Sequence, residues 1–62
     1  MKTAQLHQDT GLVFARVSPL VTTDPPPGVT FVDYDETEGE IPLGLVYEPR
    51  PGHAIRKGPV HA

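Results

Sequence analysis

Apolar residues, many of them β-branched or aromatic, crowd two places along the chain, and the strand period of two sorts their side chains onto opposite faces. In residues 12–17, Val13, Ala15 and Val17 share one face, while Leu12, Phe14 and Arg16 share the other. Both faces are partly apolar, so cover is expected on each. Residues 29–34 give the clearest strand, with Thr30, Val32 and Tyr34 on one side and Val29, Phe31 and Asp33 on the other. Residues 3–6 read as a short first strand. They lead into Gln8, Asp9, Thr10 and Gly11, residue types that accept turn geometry. The apolar run 41–47 reads as a strand returning against 29–34 across the polar turn 35–40, where Gly39 can supply a positive φ. Pro42 places the start of that strand at an edge or bulge.

Proline punctuates the rest. Pro19 and the run Pro25, Pro26, Pro27 make residues 18–28 an extended connection, because proline removes a backbone donor and blocks helix. A rigid spacer is the simpler use of that run, against docking as a polyproline ligand. Pro49, Arg50, Pro51 and Gly52 end the last strand, and residues 53–62 have no periodicity. At most one helical turn is expected around residues 54–57. The expected architecture is mainly β: a small three- to four-stranded antiparallel meander over residues 1–48, then an extended proline-containing basic tail over 49–62.

Residues 13–18, together with Pro27, Gly28 and Val29, the segment Asp33, Tyr34, Asp35, Glu36, and Gly39 and Ile41 after it, resemble a family of short bacterial and phage domains built as a small β-meander. The likeness runs over roughly residues 10–47. This chain departs from the pattern with a longer turn near Thr37 and with Pro42 and Leu43 before Gly44. The resemblance implies a fold but no activity, so no functional residue is carried over from it. Some family members are similar to partners of small toxin-like proteins, which points toward an antitoxin-like binding role.

The chain has 62 residues and no cysteine, so neither disulfides nor thiolate metal sites can reinforce it. A core of this size supplies only about 3–5 kcal/mol of net stability. A lone meander would leave one face and both edges poorly covered. Burial against a second polypeptide is therefore expected, most simply as a homodimer, with Phe14, Phe31, Leu45 and Tyr47 in the core or the contact.

Charge is segregated. Asp33, Asp35, Glu36, Glu38, Glu40 and Glu48 fall within 33–48 with no base among them, while Arg50, Arg56 and Lys57 come after with no acid. The net charge of −3 argues against nucleic-acid binding by the body of the domain. Residues 1–6 lack the apolar run of a secretory leader, and no stretch approaches membrane length, so a cytoplasmic chain is expected.

Candidate chemistry is sparse. Asp33 and Asp35 match the first positions of a calcium-hand loop, but Thr37 and Glu38 stand where it needs Asp and Gly. His7, His53 and His61 lack ligand spacing, and Ser18, the only serine, precedes Pro19 with no nucleophile elbow. Neither a cofactor, a metal nor catalysis is expected. There remain Asp35, Glu36, Glu38 and Glu40 as an acidic partner-binding face, able to imitate a phosphate backbone. The expected function is a non-enzymatic interaction module, antitoxin-like or a phage-encoded inhibitor. The alternative is a small structural subunit anchored by its proline-rich loop and tail.

Overall fold

The computed structural model describes residues 1–48 and 50–59. All regular structure there is strand: β1 Lys2–His7, β2 Val13–Val17, β3 Val29–Tyr34 and β4 Ala54–Lys57. They form one open antiparallel sheet in the order β2-β1-β3-β4. The first strand is thus an inner strand, although it is the least apolar of the four expected.

Residues 8–11 close the β1–β2 hairpin. The His7 N–H reaches Leu12 O at 2.9 Å, and the Gly11 N–H reaches His7 O at 2.7 Å. Gly11 has a φ of 75°, a left-handed conformation that glycine adopts without a Cβ penalty. The register then slips: Leu6 opposes Val13 but Gln5 opposes Ala15, so Phe14 is the extra residue of a β-bulge. The β1–β3 pairing is regular from Lys2 opposite Tyr34 to His7 opposite Val29.

Each face of the sheet is covered by a loop of the chain itself. On one face Ala4 and Leu6 of β1, Val13 of β2, and Val32 and Tyr34 of β3 form a core that Ile41 and Tyr47 close from the segment after the acidic turn. Across the other face run residues 18–28. The Val21 N–H donates to Thr3 Oγ1 at 3.0 Å, Arg56 Nη1 donates to Thr23 O at 3.4 Å, and Pro25 is buried. Thr3 and Phe31 are buried on that side. The proline connection therefore acts as a strap over part of this face, burying Thr3 and Phe31 while His7 and Phe14 stay exposed.

Two expectations are corrected. Residues 41–47 do not return against β3, because β1 and β4 occupy both of its edges. They run instead beside the start of β2. Leu45 O accepts the Val13 N–H at 3.0 Å, Val13 O accepts the Gly44 N–H at 2.8 Å, and Gly11 O accepts the Tyr47 N–H at 2.9 Å, with Leu12 bridged to Val46. The second correction is the boundary at residue 48. Ala54–Lys57, read as tail with at most a helical turn, is β4, aligned from Thr30 opposite Lys57 to Asp33 opposite Ala54. Arg56 holds it in place, with Nη2 at 2.6 Å from Asp33 Oδ1 and the guanidinium 5.4 Å from the Phe31 ring centre. Pro49 and residues 60–62, including His61, lie outside the described residues.

Candidate functional site

The acidic turn is built from its own hydrogen bonds. Asp35 Oδ1 accepts the Thr37 N–H at 3.0 Å and the Thr37 hydroxyl at 2.7 Å, so this carboxylate closes the turn. Those bonds hold the Asp35 carboxyl below its ordinary value. Glu36 lies 2.8 Å from the Met1 amino group, which likewise lowers its carboxyl. Glu40 has the most partners. Its Oε2 accepts from Lys2 Nζ at 2.7 Å, its Oε1 accepts from the Tyr34 hydroxyl, and Arg16 Nη1 stands 3.7 Å away. The bonds from Lys2 and Tyr34 bring its pKa down to about 2. Asp33, just before the turn, is bound by Arg56 and by the Thr3 hydroxyl at 3.0 Å. Of the four acidic residues expected to meet a partner, Glu36 and Glu40 are thus engaged by the chain's own cations. Asp35 is spent on closing the turn, and Glu38 forms no ion pair among the described residues.

Beside the turn lies a solvent-open pocket of about 160 Å³, lined by Asp35, Glu38, Gly39, Arg50, Pro51 and His53. The His53 Nδ1 meets the Tyr47 hydroxyl, and the two rings stack at 14° with centres 6.1 Å apart. His7 is far along the chain, packed on Phe14 with ring centres 4.7 Å apart. Among the described residues no three His, Asp or Glu side chains gather where a metal could bind.

The larger feature is apolar and lies beside β2. Leu43, Leu45 and Val46 are 53%, 51% and 60% exposed, and Phe14 is 41% exposed. Exposed apolar side chains are ordinary when scattered, but adjacent ones on an ordered backbone mark a contact surface. Here the backbone is ordered by its bonds to Gly11 and Val13. Leu12, bridged to Val46, falls on the face that alternation gives to His7, where Phe14 also packs. Leu45, next to Val46 in the chain, falls on the opposite face by alternation, so this edge of the sheet is an apolar ridge exposed on both faces, with Asp9 and Glu48 exposed near it in sequence. No family model matches the chain, and no curated protein or solved structure matches it either. The ridge must be read from its own chemistry.

Of the four hydrophobic residues that the sequence marks for the core or a contact, Phe31 and Tyr47 lie in the chain's own core, while Phe14 and Leu45 are on the ridge. Leu43 and Val46 join them without a comparable mark. The signal available for them is Pro42 and Gly44, which break the strand pattern and leave neighbouring side chains without a sheet face to pack on. No helix among the described residues is long and apolar enough to cross a membrane.

The Tyr34–Glu40 contact predicts stability limits at both ends of the pH scale. Glu40 has a folded pKa of about 2 against an ordinary 4.5. Its stabilisation is present above pH 4.5 and is lost as pH falls toward 2. Burial and the Glu40 carboxylate raise Tyr34 from 10 to about 12. Its stabilisation is therefore present below pH 10 and is lost as pH rises through 12. In thermal melts across pH, Glu40→Gln should flatten part of the acid limb. Tyr34→Phe should flatten the alkaline limb. An unchanged alkaline limb in Tyr34→Phe would contradict the assignment.

Proposed function

We propose that this chain is a non-enzymatic protein-interaction module that docks through the 43–46 ridge and Phe14. The observation that carries the proposal is half-exposed leucine and valine held on a hydrogen-bonded backbone at the sheet edge. Burying such side chains against a partner releases apolar surface at about 25 cal/mol per Å². A fixed backbone also limits the entropy lost on docking. Acidic side chains near the ridge and the net charge of −3 favour a partner patch that is apolar at its centre and basic at its rim. The mode of action is occupation of that patch, as an antitoxin-like or phage-encoded inhibitor would act. The acidic turn assists by long-range attraction, since most of its carboxylates already have internal partners. The proline-rich loop and residues 54–58 bond to the chain's own sheet, so an anchoring role for them would have to use the outer edge of β4.

The test is capture of a binding protein by the wild-type chain, followed by affinity measurements with two variants. Leu45→Ser/Val46→Ser should weaken binding by about tenfold or more, the scale of losing central contacts. Its melting curve should stay close to wild type, because both side chains are exposed. Glu36→Gln/Glu40→Gln should weaken binding only a few-fold, and less so at high salt. Equal affinity of the ridge variant and wild type would refute the reading.

A further inference from the structure

The opposite edge of the sheet carries a second surface. β4 pairs with β3 on one side, and no strand among the described residues pairs with it on the other. Its phase is fixed by Val29 O, which accepts the Gly58 N–H at 2.9 Å. Ala54 and Arg56, opposite Asp33 and Phe31, therefore turn their backbone groups toward β3. Ile55 and Lys57 turn theirs outward. The Ile55 side chain, opposite Val32, is 39% exposed at the rim of the core face.

We propose that β4 pairs antiparallel with β4 of a second copy, with Ile55 at the two-fold axis and each Lys57 ammonium in the pocket of the other copy that holds Asp35 and Glu38. Charge disfavours the registers shifted toward Lys57. Setting Ile55 against Lys57 of the other strand would bring the two Arg56 side chains face to face. Setting Lys57 against Lys57 would oppose two ammonium groups. With Ile55 against Ile55, Ala54 meets Arg56, which Asp33 already neutralises, and Lys57 meets His53. The His53 N–H is donated to Arg50 O at 3.3 Å, so its carbonyl is the group offered to the Lys57 N–H across the axis. Directly opposed residues lie about 5.5 Å apart at the Cα atoms. His53 lines the pocket, and Ile55, Lys57 and His53 share a face by alternation. A lysine opposite His53 thus reaches two carboxylates that only Arg50 offsets within the pocket. The strand is short and bounded by Pro51 and Pro59, which restricts pairing to a closed dimer rather than an open stack.

The experiment is sedimentation equilibrium of the full 62-residue chain up to about 1 mM, since so small an interface gives a dissociation constant on the order of 0.1 mM. Lys57→Glu and Glu38→Lys should each weaken the dimer about tenfold, and the double swap should bring it back to within about threefold of wild type. Both side chains are exposed, and thermal melts verify that each variant folds. Leu45→Ser/Val46→Ser should dimerise like wild type, which separates this inference from the ridge reading. A monomer at the highest concentration overturns the proposal. So does a dimer indifferent to both charge changes, a swap that fails to restore it, or a dimer lost in the ridge variant.

Discussion

Tyr34→Ala is expected to leave the chain unfolded at 25 °C, with strand circular dichroism lost and no cooperative urea transition. Tyr34 is 1% exposed and is the largest fully buried side chain. Truncating a buried aromatic residue costs about 3–5 kcal/mol. A core in a chain this short supplies about the same amount in total. The hydroxyl adds its own bond to Glu40, which in turn gathers Lys2 and Arg16 over the end of the sheet. Tyr34→Phe separates the two contributions. It keeps the ring and should cost about 1 kcal/mol, the net worth of one hydrogen bond. A cooperative transition in Tyr34→Ala close to that of Tyr34→Phe would mean that the ring is not the keystone of the core.

The alternation that places Tyr34 inward is readable from the sequence, and so are β2 and β3. These strands are rich in β-branched and aromatic residues, so local propensity and tertiary burial agree. β1 is legible as a strand but not as the centre of the sheet. Thr3 and Gln5 look like solvent-facing positions until the proline strap covers Thr3 and its hydroxyl is bonded to Val21 and Asp33. β4 escapes a local reading because Ala54–Lys57 has four residues and two charges, a pattern too short for periodicity to register. Its partner exists in the sequence as Asp33, whose charge needs Arg56, but that pairing spans 23 residues and no local rule finds it. Residues 41–47 are apolar enough to read as a strand. Their destination depends on β4 occupying the edge of β3.

The candidate surface is legible in a similarly partial way. Segregated carboxylates draw attention to residues 35–40, yet segregation along the chain says nothing about where the cations lie in space. Folding brings Lys2, Arg16 and the Met1 amino group over the turn, and two of the four acidic residues, Glu36 and Glu40, become internal ion pairs. Conversely, Leu43 and Val46 look like strand interior and become exposed. Their segment pairs by backbone bonds with residues 11–13 and buries only Ile41 and Tyr47. The two edges left by this arrangement differ in chemistry. One carries an apolar ridge suited to a foreign partner. The other is a short strand with a lysine at one end and a carboxylate pocket beside the other. If both are used, a dimer would present two ridges, and a partner with two matching patches would be held more tightly than either contact alone allows.

Gly58→Ala is the second large effect, and it tests whether the strap holds the sheet or merely lies on it. A Cβ at position 58 would overlap Pro26 O and stand 2.9 Å from Pro26 C and 3.0 Å from Pro25 O. These are backbone atoms of the least pliable stretch of the chain, so they cannot move aside as the tip of a side chain could. Gly58 cannot retreat either, because its N–H is donated to Val29 O at 2.9 Å at the end of the β3–β4 ladder. Something must separate: the strap from β4, or β4 from β3. Overpacking of this kind costs about 1–3 kcal/mol, a large share of the stability so small a core supplies. If the strap lifts, the Val21 amide loses its bond to Thr3 and should exchange with solvent much faster than in wild type, while the amides of β1 that face β3 stay protected. Gly52→Ala is the control. Gly52 has a φ of 92° with nothing within 4 Å of the added Cβ, so its cost is conformational alone, about 1–2 kcal/mol, and Val21 exchange should not respond. A Gly58→Ala chain that melts like wild type with Val21 still protected would show that the strap and β4 are not locked together, and the account of how both faces are covered would fail with it.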